Sequence, residues 1–442
     1  MQGLRKIINI SIYFLIFFLP WQTRLIFKQG ELNGGDFEYG TLSIYGTELL
    51  LALILVLGIA YSSLLLMKKR LRIKSGEQKG SSVPLFCLIV FLVLILTSVY
   101  FAIDQEIAFY KFSQIILSVA LIFLILLTKP SQFVSAYSFV FAGFIQSIMA
   151  IYQFVVQKVY ASSFLGIAFQ DPAISGVPII ESNGERVLRS FGSLPHPNIL
   201  AGFLVICLIL VIALSFEEKL LKHKLFLAGS FITMTLALFM TASRSALLAL
   251  LLGLIVFYLF NRKKDKKTLK VLNNYLIIFI LIMILFSVVK PEMISKRFTA
   301  VNRLDIQSNT ERIAGYSDAI DVFQNNWLMG TGPGNYTLGL HEIYPDKPHY
   351  FYQPLHNAIL LPFVEMGLSY FLIFIGLIGL LVYSVKKKIL NFKDNQHWTV
   401  ALVMILAISM FDHYFYSFYF GIILTAIIVG FFLLQATKKE GR

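Results

Sequence analysis

One long polar stretch, from about Pro291 to His356, interrupts a chain that is otherwise a succession of apolar segments long enough to cross a bilayer. That alternation excludes an ordinary soluble domain, as do 57% hydrophobic residues, 14% charged residues and a mean hydropathy of +0.75. At membrane depth, backbone outside helices or closed barrels is tolerated only where protein or water covers it. A polar loop of this size therefore reads as a folded cap on one membrane face, the kind of segment that carries function.

Twelve spans can be drawn, at roughly 7–27, 44–66, 83–101, 107–127, 134–156, 198–216, 225–243, 245–260, 271–289, 357–385, 398–414 and 418–435. They predict an all-α integral membrane protein, one polytopic domain over 1–442, with a helical outer-face cap over 290–356 between spans nine and ten. With the N-terminus inside, 25 of the 38 Lys/Arg but 6 of the 24 Asp/Glu fall on the inner side. That is +19 inside and −5 elsewhere, which together make the chain's +14. Lys68-Lys-Arg70, Arg262-Lys-Lys264 and Lys386-Lys-Lys388 carry much of it. An excess of Lys/Arg in short loops sets orientation. Both termini are thus expected in the cytoplasm, and the basic balance reports topology, not a nucleic-acid partner. The first apolar segment follows Arg5 and Lys6 as a signal peptide would, but it lacks a small-residue cleavage site and is kept as a span. Cys87 and Cys207 lie in different spans and build neither a disulfide framework nor a metal motif. There is no internal repeat and no appended soluble domain.

Within the cap, Ser308-x-x-Glu311 has the capping-box pattern, and Ile313, Tyr316, Ile320, Phe323 and Trp327 recur at helical steps. The spacing predicts a helix lying on a surface, with Arg312 beside its apolar stripe, ended by Gly330-Thr-Gly-Pro-Gly334. That glycine-rich run follows no strand and faces outward, so it is no nucleotide loop. His356 falls at or just before the first turn of span ten, where the helix N-terminus favours the neutral imidazole that can accept a proton. His341 and His349 have no such placement. Arg244, in the hairpin Met240-Thr-Ala-Ser-Arg-Ser-Ala246, is open to two readings. It is an anchor snorkelling to the interface, or a bidentate grip on phosphate oxygens. Glu365, inside span ten, is either functional or paired with Arg244 or a neighbouring helix. His196 and Asn198 at the start of span six, and Asp412 and His413 at the end of span eleven, are open to supporting roles or to capping and anchoring. The aromatic cluster Tyr414–Phe420 reads as an interfacial belt.

Over roughly 190–435 the chain resembles the O-antigen ligase and polysaccharide polymerase (Wzy-type) membrane glycosyltransferases. The resemblance rests on Pro197-Asn198, Thr241-Ala-Ser-Arg244, Arg312 followed by Tyr316 and Ala319, Gly330-Thr-Gly-Pro-Gly334, His356-Asn357 and Glu365-Met-Gly367. Tyr316 departs from the tryptophan common in the family. The resemblance implies a metal-independent, inverting GT-C-like enzyme without cofactors at the outer face of the cytoplasmic membrane. Arg244 and Arg312 would bind the diphosphate of an undecaprenyl-linked glycan, and His356 would act on the acceptor hydroxyl. The implied partners are a lipid-linked oligosaccharide donor, a glycan or lipid acceptor and membrane lipids. A transporter or flippase is the main rival; it would normally place its polar residues near the midplane between pseudo-symmetric halves. A cell-wall glycosyltransferase is a second.

Overall fold

The computed structural model of the protein describes residues 1–73, 83–182, 184–262, 266–293, 303–386 and 396–436. Each expected span overlaps a helix. These are α1 (Gln2–Phe18), α2 (Gly46–Ile73), α3 (Val83–Tyr100), α4 (Gln105–Thr128), α5 (Gln132–Val156) and α6 (Pro197–Glu217). They continue as α7 (Leu221–Thr241), α8 (Arg244–Asn261) and α9 (Lys266–Val289). After the cap helices α10 (Arg303–Asn326) and α11 (Tyr336–Ile343) come α12 (Leu361–Lys386), α13 (Gln396–Ser409), the short α14 (Tyr414–Ser417) and α15 (Tyr419–Ala436). Among the described residues eight helices are long and apolar enough to cross a membrane. The remaining four expected spans are shorter there: α1, Val90–Tyr100, Gln396–Ser409 and Tyr419–Leu434. The protein is a helical integral membrane protein. The start of the expected cap, 294–302, and the basic segments 263–265 and 387–395 lie outside the described residues.

α6 forms the centre because it is apolar on every face, and nearly all its residues are buried. α5, α7 and α8 surround it, and α15 packs along α4. Small residues let the helices approach: a side chain at Gly421 would collide with the Tyr414 carbonyl at 2.0 Å. That contact seats α15 directly beneath the turn carrying Asp412 and His413. The first span ends nine residues early, at Phe18, since Pro20 removes a donor and restricts Leu19. The chain then forms a strand, Arg24–Lys28, pairing antiparallel with Leu42–Tyr45. Two more small hairpins, Glu31–Leu32 with Gly35–Asp36 and Ile179–Ser182 with Glu185–Leu188, decorate the same end of the bundle, hereafter the cap end.

α12 breaks at Gly367, whose φ of +55° and ψ of −139° only glycine adopts readily. The glycine-rich run fills the break: Gly332 N–H donates to the Glu365 carbonyl (2.7 Å) and Thr331 N–H to that of Val364 (3.3 Å). Leu368 N–H donates in turn to the Trp327 and Leu328 carbonyls at 3.0 and 3.1 Å. Gly330 is required here, because a Cβ would lie 2.2 Å from the Glu365 carbonyl oxygen. Interrupted helix backbone is thus re-satisfied by a protein loop, as a low-dielectric surrounding demands.

Two expectations for this end of the molecule, the capping box and the aromatic belt, are corrected. α10 begins at Arg303, so Ser308 is inside the helix and the Ser308/Glu311 pair does not cap it. Its apolar stripe points away from the protein, with Ile313 73% and Trp327 55% exposed, and α10 buries Ala319 and Val322 (0%) instead. A stripe marks the buried face only where water is the sole alternative solvent. Tyr414, Phe415, Tyr419 and Phe420 are buried in the core and form no exposed belt.

Orientation is testable with single cysteines in a background lacking Cys87 and Cys207. Thr331 is buried, so the reporter at the cap end belongs at Tyr350, which is exposed. Tyr350→Cys is expected to react with an impermeant thiol reagent in whole cells, and Lys219→Cys only after permeabilisation. The opposite pattern would invert the topology.

Candidate active site

Four separate segments meet at the cap end. The α7–α8 hairpin turns through Ala242 in a left-handed conformation (φ +49°) and puts Arg244 at the first position of α8. α10 brings Arg312 to the same place. Arg244, Arg312, Asn198, Ser243, Asn309 and Phe411 line one cleft of about 240 Å³. Arg244 Nη2 lies 3.4 Å from Asn309 Oδ1, and Arg312 Nε has no hydrogen-bond partner among the described residues. Two cations in one cleft, one with an unpartnered donor, suit an anion with several oxygens.

His356 does not line this cleft but lies close enough to feel the Arg312 charge. Asn357 Oδ1 accepts from Ile359 and Leu360 N–H, both at 3.0 Å, and caps a turn ahead of α12. The regular helix therefore starts at Leu361, five residues after His356, and Glu365 sits one turn inside it. Asn357 Nδ2 also reaches the Tyr316 hydroxyl (3.3 Å), tying this turn to α10. Ala358 N–H donates to the Ser409 and Asp412 carbonyls at 2.8 and 3.1 Å, which locks the His356 turn against the end of α13.

The consequence is a His–Asp pair. His356 Nδ1 is buried without a hydrogen bond and lies 4.0 Å from Asp412 Oδ1. Asp412 Oδ2 accepts from Asn198 Nδ2 (3.1 Å), and Oδ1 from the His413 N–H (2.9 Å). A carboxylate facing Nδ1 selects the tautomer with its proton there, leaving Nε2 free to take another. Burial pushes the His356 imidazole below its ordinary value, opposed by Asp412 and assisted by Arg312. Burial works against the charge of Asp412, but the surrounding histidines and Asn198 outweigh it and hold the carboxyl below the usual range. Burial pushes His413 down to about 3, and its Nδ1 is engaged with Ser417 Oγ at 2.5 Å. His356 is thus the imidazole best placed to accept a proton.

The other expected residues separate. His196 caps α6, accepting from Asn198 N–H at 3.1 Å, with burial and then Arg189 depressing its pKa to about 3. Glu365 does not pair with Arg244; its carboxylate accepts from Gly334 N–H (2.7 Å), Tyr336 N–H (3.4 Å) and the Tyr416 hydroxyl (2.7 Å). His341 contacts Asn33, and His349 lies against Gly35, both within the cap. His356, Asp412 and His413 offer ligand atoms within 4.8 Å of one another, a spacing a divalent ion could bridge.

Sequence reading missed Arg189. This buried residue donates from Nε to the Thr241 carbonyl (2.7 Å) and from Nη2 to Asn198 Oδ1 (2.6 Å). It links the Arg244 hairpin to the Asn198–Asp412 contact. No periodicity marks an arginine in an irregular loop, and the positive charge inside a polar segment was the only available signal.

Residues 229–375 match the family described as O-Antigen ligase, a stretch that contains Arg244, Arg312, His356, Asn357 and Glu365. The match spans about a third of the chain, and over that stretch the chain is similar to this family. No curated protein matches the chain.

Proposed function

We propose that the protein transfers or polymerises a polyprenyl-diphosphate-linked glycan onto an acceptor hydroxyl at the outer face of the cytoplasmic membrane, by a metal-independent inverting mechanism. The observation carrying this reading is the convergence of Arg244 and Arg312 on one cleft beside the His356–Asp412 pair. His356 Nε2 takes the acceptor hydroxyl proton as the oxygen attacks the anomeric carbon. The bond from that carbon to the diphosphate breaks, and the leaving group departs with the electron pair. Arg244 and Arg312 meet the growing negative charge as fixed donors in a partly dry cleft. The diphosphate is already a good leaving group, so the remaining barrier lies in deprotonation and charge stabilisation.

The deciding experiment incubates purified protein with a labelled lipid-linked glycan. Elongation marks a polymerase, movement to another acceptor marks a ligase, and translocation without a new bond defeats the enzyme reading. Transfer is expected to survive EDTA, because two guanidinium groups carry the charge stabilisation. Loss on chelation, restored by Zn²⁺, would instead assign an ion to His356, Asp412 and His413.

A further inference from the structure

A second cavity at the cap end lies apart from the arginine cleft and shares no lining residue with it. Its walls include Tyr39, Lys111, Gln114, Thr337, Glu365 and Tyr416. Its volume of about 60 Å³ holds about four to six waters at ~10–15 Å³ each, the size of one sugar ring. A further cavity of about 120 Å³ abuts it across the Arg24–Glu38 ion pair, both walls sharing Tyr45 and Phe418. A longer chain could therefore continue past the first ring.

Two features of the walls point to a polar occupant. Gln114 Oε1 and Thr337 Oγ1 are buried, their residues 2% exposed each, and neither finds a hydrogen-bond partner among the described residues. Unmet buried polar atoms are costly, and a hydroxyl-rich occupant of the cavity would satisfy both. Lys111, which donates to the Ser417 carbonyl (2.5 Å), and Glu365, held by Gly334 and Tyr416, add fixed polar groups to the wall. The tyrosine rings add flat apolar faces with polar tips, matching the alternating C–H faces and hydroxyls of a sugar.

The cavity is separated from the proposed base by one residue, His413. Tyr39 lies with its ring 6.1 Å from that of His413, Ser417 bonds His413 Nδ1, and the His413 ring is 5.2 Å from His356. On the other side, Asp412 meets Asn198, which lines the arginine cleft. The cluster of His356, Asp412 and His413 thus links the two spaces. We propose that this cavity is the saccharide subsite for the acceptor, holding its terminal ring through Gln114 and Thr337. The inference rests on the glycan-transfer reading for the acceptor's role, but not for the binding of sugar itself.

Gln114→Leu and Thr337→Val replace unpartnered atoms by apolar shapes, so each variant is expected to unfold thermally no earlier than wild type. Either should raise the acceptor KM about 10-fold or more, with kcat and donor affinity little changed. Saturation-transfer NMR in nanodiscs supplies a readout independent of turnover. Its two probes are the repeat oligosaccharide freed from the donor by mild acid and the lipid-free core oligosaccharide. Signal from the first marks a polymerase acceptor and from the second a ligase acceptor, and either should persist in His356→Ala but vanish in the two cavity variants. Sugar binding without transfer would leave the subsite standing and remove the enzymatic reading. Normal transfer with unchanged acceptor KM in both variants would overturn the subsite and leave the enzymatic reading intact. A cavity variant that unfolds is replaced by the other, since each atom tests the site alone.

Discussion

His356→Ala is expected to lower turnover of the lipid-linked glycan by about 10²–10⁴-fold, the usual worth of a positioned general base, while donor affinity changes little. The expectation rests on Nδ1 facing the Asp412 carboxylate at 4.0 Å, whose charge favours the tautomer with the lone pair on Nε2. The pH profile separates this role from a structural one. A base works deprotonated, so activity falls as pH drops through its pKa. Burial lowers that pKa from the ordinary 6.5, and the acid limb should lie below pH 6.5. Asp412 opposes the depression, so Asp412→Asn should move the limb further down and also slow turnover, on the order of 10²-fold through loss of tautomer control. Near-normal transfer by His356→Ala would remove His356 as the base and turn attention to His196, His349 or His413.

The second large effect concerns the arginines. Arg244→Lys and Arg312→Lys keep the charge but lose the planar fork, so either should weaken donor binding by about 10–100-fold and cut transfer accordingly. This is the reverse of the histidine variant, which keeps the donor and loses the chemistry. Arg312→Lys carries an additional signature: Arg312 helps to depress the His356 pKa, and a displaced charge should shift the acid limb upward. Donor affinity measured beside transfer rate in the purified variants distinguishes the two roles. Normal donor affinity in both lysine variants would show that the diphosphate is held elsewhere, and the cleft would need another occupant.

What the sequence determined by itself was the membrane character of the chain, the positions of its helices and most of the residues that meet at the cap end. A run of apolar residues long enough to cross a bilayer is a local property, so α3 through α8 were legible to within about four residues. Arg244, Arg312 and His356 stood out because charge beside apolar spans is expensive and rarely idle. Boundaries failed where a distant partner decided them. α1 stops short because the chain must turn at Pro20 and pair Arg24–Lys28 with Leu42–Tyr45. α10 extends upstream of Ser308, and its stripe faces outward because apolar surface has no need to turn inward in a chain of this kind. Only the tertiary structure assigned Asp412 to His356, Glu365 to the Gly334–Tyr336 amides and Arg189 to Asn198. Hydrogen-bond partners dozens of residues apart leave no periodic trace, and geometry alone chooses among several carboxylates of similar local setting.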